Sequence, residues 1–506
     1  MIHMNIALRP LRRTTCLLVA FQIWTQPAGA RLITVTTPAA FRSAVAVLLP
    51  GDTVMTSDGQ FDLGGVVEIT AHGTPAQPAV IRAQHTGRTV LRGQSRFLFK
   101  EARHVVLEGF LFSGTDGPSV HLLGCRRVRI SRNTFQLREK GRSSWVMVEG
   151  RSRENRIDHN VFQKKRELGN FITVEGEPSD GYQVSQYDTI DHNHFREIGP
   201  RAENVLEAIR IGSSNYTLSS GYTLLEHNLF ERCDGDPEYI SIKSSDNTIR
   251  YNTFRECLGS LSLRHGNRNT VDGNFIFGGG RKGMFNDSTG KTWTLGTGGV
   301  RFCGDSMVIV NNYMEGLTGS GWDATLAATN GDADYGEGKP LTKHYRIRHA
   351  VIAFNTMVDN ASGLEIGFDG AGFQNNWWAL PPSGMVIANN IFLGKKDTLI
   401  RLLTPPLGVT WSGNLAFATG GGVVSAEPIS GVRIVDPRLV IQDGWWRPAA
   451  GSPVLGAAEG AWPFVTHDIE GQPRKSRPDA GADEVSRVPP LNKPLSPTDV
   501  GPFGKE

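Results

Sequence analysis

Little in this sequence of 506 residues is one-sided. Lysine and arginine number 53 against 50 aspartate and glutamate, a formal net charge of +3. That near-balance excludes a global attraction to nucleic acid, and an anionic ligand must be held by a local patch. No apolar run is long enough to span a membrane. The five cysteines offer neither a Cys-x-x-Cys pair nor a Cys/His spacing suited to zinc. Long helical periodicities are scarce too, which argues against an α-helical body. What the chain has in quantity is glycine, 59 residues, with many Asn and Asp, the composition of a turn-rich β protein.

The beginning of the chain reads as removable. Arg9, Arg12 and Arg13 precede the apolar run from Cys16 to Phe21, and Ala28-Gly29-Ala30 offers a small-x-small cleavage site. Residues 1–30 are therefore expected to be a secretory signal, giving a secreted or periplasmic protein, the alternative being a disordered or misassigned start. Losing them removes three arginines and no acid, leaving 50 basic and 50 acidic residues.

The remainder repeats. Asn133-Thr134-Phe135, Asn160-Val161-Phe162, Asn193-His194-Phe195, Asn228-Leu229-Phe230 and Asn252-Thr253-Phe254 recur, each behind a short alternating apolar run. The series continues at Asn274-Phe275, Asn312-Tyr313, Asn355-Thr356-Met357, Asn390-Ile391-Phe392 and Asn414-Leu415. Its tightest spacings, 24 and 22 residues, are solenoid periods. Short β-rich runs at that period favour an all-β parallel β-helix over a propeller. In it the Asn would stack at a turn and the aromatic residues inside.

An unbroken repeat argues for one elongated body over residues 31–430. Residues 38–48 read as a short amphipathic helix placed to cover the open end of the solenoid. The Asn-x-Phe period is lost after about residue 430, so 431–487 are expected to be a C-terminal cap and the proline-rich 488–506 a loose tail. Cys233 and Cys257 occupy matching places in adjacent repeats; a disulfide or a ladder of buried thiols would both suit them.

Three stretches inside the repeat carry chemistry: Glu203–Gly212, Gly235–Ser244 and Leu263–Asn267. As successive coils they would fall on one flank. Asp236 and Glu238 are two apart, so on a strand they share a face. Like charges there call for a hard cation such as calcium, with Asn204 or Glu207 completing the set, or else they form a solvated acidic loop. Lys243 and Arg264 lie 21 residues apart, close to one coil, and would stack as neighbours. Two adjacent cations favour the neutral amine, which can act as a general base; a plain pair of surface cations is the alternative. Together the parts suit β-elimination on a uronic acid. The C5 proton is weakly acidic beside an ionised carboxylate, and removing it needs a base, a charge-stabilising site and help for the departing C4 oxygen.

These stretches resemble the signature of polysaccharide lyase family 6, which includes alginate lyases and chondroitinase B. The resemblance runs from about Ile33 to Ala416 and rests on Asn-x-x-Glu-x-Ile-Arg-Ile-Gly, Gly-acid-x-acid-x-Ile-Ser-x-Lys-Ser and Leu-Arg-His-Gly-Asn, in that order. It implies a right-handed, single-stranded parallel β-helix acting as a monomer on an anionic uronate polysaccharide. It implies Lys243 as base and Arg264 as acid, and calcium (Ca2+) on Asn204, Asp236 and Glu238. His265, Arg301, Glu207 and Arg210 become substrate-binding residues. Two departures stand out: Asp236 where the pattern usually has Glu, and Met307 where it suggests His, which bears on substrate contacts. Alginate is the expected substrate. Dermatan or chondroitin sulfate cleavage, C5-epimerisation of mannuronan and non-catalytic glycan binding are the alternatives. The long insertions at Glu177–Tyr187 and Gly319–His344 are where groove-closing loops would arise.

Overall fold

A computed structural model describes residues 29–334, 341–371, 378–395 and 397–505. Most of the expected signal therefore lies outside the described residues. Among them, the strands stack into three long sheets of 14, 14 and 13 strands. Successive coils lay their strands onto these sheets in parallel, as at Ile240↔Leu261 and Phe230↔Phe254, and one strand of the 13, Lys282–Asn286, is an antiparallel addition outside the stack. This is the expected parallel β-helix. It runs from Leu32–Val35 to Val432–Ile434.

The asparagines form the predicted ladder. The backbone amide of Asn228 donates to Asn252 Oδ1 at 3.0 Å, and that of Asn252 to Asn274 Oδ1 at 3.0 Å. The Asn252 side-chain amide also reaches back to the Leu225 carbonyl at 2.9 Å. Every ladder asparagine is buried, so each one satisfies backbone groups that water cannot reach. The residue just before it turns the corner in the left-handed region: His159, His192, His227 and Tyr251 have φ of 52°, 51°, 52° and 55°. Non-glycine residues adopt that conformation rarely; here the ladder on the inner side holds it.

Inside, Phe112, Phe135, Phe162, Phe195, Phe230 and Phe254 stack coil upon coil with ring centroids 4.5–5.1 Å apart. Burying each such ring is worth about 1.5–3 kcal/mol. Phe275 and Tyr313 break the expectation of inward stacking. They follow their asparagine directly, pair in register with Thr253, and so point to the opposite face. A shift of one residue swaps faces in a strand; Ile276 and Met314 take the inner places. The outward rings are buried instead under the C-terminal segment, where Trp445 packs 5.3 Å from Phe275 and 5.2 Å from Tyr313.

The N-terminal helix covers the open end as expected. It spans Pro38–Val45, with Thr37 Oγ1 accepting from the Ala40 amide and Phe41, Ala44 and Val45 buried. The C-terminal segment lies along the flank of the coils. Its hairpin pairs Leu439–Gln442 with Trp445–Pro448, and Arg474 reaches Asn311 Oδ1 at 2.6 Å. The expectation of a loose tail is corrected. Residues 488–505 run back along the helix, the Leu495 amide donating to Thr253 Oγ1 and the Gly501 amide to the His192 carbonyl, both at 2.8 Å. Leu495 and Val500 bury against Leu229. Composition concealed this, because the apolar partner, Leu229, sits on the outer face of a coil. The four described cysteines are free and buried; Cys233 and Cys257 do meet on adjacent coils, the Cys233 amide donating to Cys257 Sγ at 3.4 Å.

Two tests follow from this packing. Asn252→Ala strips partners from the Leu225 carbonyl and the Asn228 amide, and should lower unfolding free energy by roughly 3 kcal/mol in a denaturant titration. The flanking segment should also respond to pH. Burial pushes Asp468 up to about 6 and Glu470 up to about 7, the latter against the pull of Arg447. Carboxyls raised above their ordinary 3.8 and 4.5 contribute stability that is complete below those values and lost as pH rises through about 6 to 7. The thermal midpoint should fall across that window, with a shallower fall in Glu470→Gln; a level or rising midpoint contradicts it.

Candidate active site

The 13-stranded sheet carries all three motif stretches. Ile209, Ile211, Ile240, Ile242, Leu261, Leu263, Val300 and Phe302 turn into the core. Alternation therefore sets Arg210, Ser241, Ser262 and Arg301 in one outward column, registered strand to strand.

Lys243 and Arg264 share this face, but not as direct neighbours. An irregularity after Ile242 sets Lys243 opposite His265, a local kink that spacing alone does not reveal. The two cations still meet around one carboxylate. Arg264 Nε is 3.3 Å from Glu238 Oε1, and the charges of Arg301, Lys243 and Arg264 together hold Glu238 down at about 2 despite its burial. Their side chains keep 17% and 25% exposure, enough to meet a ligand.

The predicted substrate residues divide. Glu207 is buried, accepts from Asn170 Nδ2 at 2.7 Å, and sets Oε1 3.9 Å from Lys243 Nζ; it orients the amine. Arg210 stays partly open and pairs with Glu175. Arg301 is 6% exposed, donates to Glu238 and to Ser262 Oγ, and lies 4.4 Å beneath the Trp322 ring. It positions other groups and is not open to a ligand. His265 is buried, and burial together with Arg264 and Lys243 drives it well below the usual imidazole range, so it is neutral.

His344 was not legible in the sequence. It arrives on the long insertion between Asn312 and Asn355 and hydrogen-bonds Arg264 Nη1 through Nε2. Burial and the charge of Arg264 hold it well below the usual range, so its Nε2 accepts. Only the length of that insertion signalled a loop over the site. Met307, flagged as a departure, is fully buried in the core and does not face the site.

The acidic residues form a crowd. Asp236 is buried and pushed well above the usual carboxylate range by desolvation, then by Glu207 and Glu238. Its oxygens accept from the Glu238 amide at 2.9 Å and the Leu206 amide at 3.4 Å. Crowded, buried carboxyl oxygens, with Asp236 driven toward its neutral form by burial and by Glu207 and Glu238, are chemistry that a hard cation would relieve. Glu238 is engaged by Arg301, Arg264 and Ser241. Asn204 is exposed, with Oδ1 on the Val205 amide at 2.8 Å. Among the described residues, no three His, Cys, Asp or Glu side chains already converge as a cage.

The stack of parallel coils is the fold of a class of polysaccharide lyases with solved structures. The chain belongs to the chondroitinase B family, whose model matches residues 35–419; in the classification of these proteins it is polysaccharide lyase family 6. A mutant form of the family 6 alginate lyase AlyGC is similar, with 27% identity and a TM-score of 0.73 over 93% of this chain and 58% of that one. A mannuronic acid specific family 6 lyase from human gut microbiota shares 25% identity at a TM-score of 0.63, over 77% and 86%. The family 6 lyase Pedsa3628 from Pseudopedobacter saltans, at 21% identity and a TM-score of 0.61 over 94% and 100%, shares the fold. The present chain spans less than three fifths of the length of AlyGC. No curated protein matches it.

Glu238 is the electrostatic hub. Glu238→Gln leaves Arg301 and Arg264 without their shared buried anion and should cost about 3–5 kcal/mol in unfolding free energy. A loss below 1 kcal/mol in denaturant unfolding would remove Glu238 from that role.

Proposed function

We propose that this protein cleaves alginate by β-elimination, leaving an unsaturated uronate at the new end. The single observation that carries the reading is the meeting of Lys243 and Arg264, both still partly exposed, around the buried Glu238. Two similar proteins support the substrate: one is called an alginate lyase and the other mannuronic acid specific.

In this reading Lys243 Nζ takes the proton from C5. The electrons left behind form the C4–C5 double bond, the bond from C4 to the glycosidic oxygen breaks, and that oxygen receives a proton from Arg264. No water is consumed. Glu207 steers the amine of Lys243. Neutral His265 and His344 place no further positive charge beside Arg264, and His344 offers Nε2 as the acceptor that steadies the guanidinium. A lowered Arg264, moved chiefly by burial, parts with a proton more readily than arginine in water. Calcium, held by Asp236 and Glu238 with Asn204, would supply positive charge for the substrate carboxylate as the C5 anion develops. Residues 1–30 would direct a monomeric enzyme to the periplasm or outside the cell, where such polymers occur.

The test is a lyase assay on mannuronate blocks, guluronate blocks and dermatan sulfate, with and without a chelator, read by ultraviolet absorbance of the unsaturated product. Alginate blocks should give signal. Lys243→Ala should lose at least about 10²–10⁴-fold in turnover with an unchanged thermal midpoint. Proton exchange at C5 without absorbance would instead indicate an epimerase, and full activity in Lys243→Ala would sink the assignment. Calcium should raise the thermal midpoint of the wild type and not of Asp236→Asn.

A further inference from the structure

The outward column that contains the site is open on one side and sealed on the other. Toward the N-terminus the column runs through Arg210, Thr173, Met147 and His121; Thr173 is buried, but the side chains of Arg210 and His121, and those of Glu175 and Glu149 two residues along, keep 17%, 24%, 23% and 29% exposure. Toward the C-terminus the registered positions are Arg301, Ala327 and Glu365, which keep 6%, 0% and 1%. Coils advance about 4.8 Å each, so the covered stretch begins one coil past Arg264 and continues for roughly 15 Å.

Inserted loops make the seal. The short 3-10 turn Gly321–Asp323 lies across the strands Gly259–His265, Thr292–Phe302, Leu326–Thr329 and Leu364–Phe368. The Gly321 amide donates to Glu365 Oε2 at 2.8 Å, tying the turn down. Trp322 lies on Arg301, with the Trp378 ring edge-on at 4.5 Å and Phe368 at 5.6 Å. His344, bonded to Arg264, packs 3.8 Å from Trp378. The wall thus reaches the acid of the proposed reaction. Gly298 and Gly299 make room for it: a Cβ on Gly298 would stand 2.8 Å from the Asp323 carbonyl, and one on Gly299 2.1 Å from that of Thr325.

We propose that the wall of Trp322, Trp378 and His344 makes the groove a dead end, so that a uronate polymer lying along the column enters only from the N-terminal coils and is trimmed from one terminus. The inference rests on the lyase reading and deepens it. A random internal cut needs room for chain on both sides of the scissile bond. Here the column is covered from one coil past Arg264 onward, so a polymer running that way meets the aromatic rings there.

The experiment digests long polymannuronate with the wild-type protein, following polymer length by size exclusion and small products by mass spectrometry. Unsaturated mono- or disaccharides should appear from the earliest conversion while the polymer peak keeps its length. A collapse of polymer length, with mid-sized oligosaccharides, at the same conversion would overturn the proposal. Trp322→Ala should shift products severalfold toward longer oligosaccharides; an active Trp322→Ala that retains the wild-type product pattern counts against the wall. If no uronate polymer is cleaved at all, the lyase reading falls and takes this inference with it, an outcome distinct from internal cutting.

Discussion

The asparagine ladder fixes the rotational phase of every coil, and all else follows from that phase. Each rung accepts the backbone amide of the rung before it and gives its side-chain amide to a carbonyl behind it, so no coil can rotate or slip against its neighbours without orphaning buried backbone groups. A solenoid has no long-range core to correct such errors; each coil touches only the next. Residues from the stretches around 207, 238, 243 and 264 therefore arrive at one place because the corner far from them is locked. The cost of the left-handed residues before each asparagine is met on the ladder side, away from the chemistry.

The site shows what such a scaffold permits. Glu207, Asp236 and Glu238 come within reach of one another and of Lys243, Arg264 and Arg301 while largely withdrawn from water. Isolated, any of these charges would be too costly to bury. Together they leave Glu238 ionised, Asp236 biased toward its neutral form, and two imidazoles held neutral. Opposing shifts in neighbouring groups are a feature that functional sites share with structural ion-pair networks, and the proposed proton transfer draws on them.

How much of this was legible in the sequence depends on whether the signal was periodic. The Asn and Phe ladders recur at a coil's length and announce the fold. Asp236, Glu238, Lys243 and Arg264 ride on that period and are placed with it. What breaks the period is lost. The irregularity after Ile242 moves Lys243 opposite His265, and a one-residue deletion turns Phe275 and Tyr313 outward. The tail is ordered by an apolar residue, Leu229, which by pattern alone belongs to the repeat. His344 reaches Arg264 across 80 residues of sequence, a distance at which spacing carries no information.

That division has a functional logic. The coils supply a straight, repeating track, which is suited to a repeating polymer but does not by itself decide where along the track anything stops. A stop needs a feature the repeat cannot encode. In the reading proposed above the insertion bearing Trp322 and His344 would provide it, anchored on Glu365 from the sheet below and touching Arg264 directly. Because the same insertion lies over Arg301 and holds the Arg264 guanidinium, in the proposed reading one element would position both the end of the polymer and the acid. On that reading, changes of loop length between Asn312 and Asn355 would alter where a chain is cut while the ladder, the hub at Glu238 and Lys243 stay as they are.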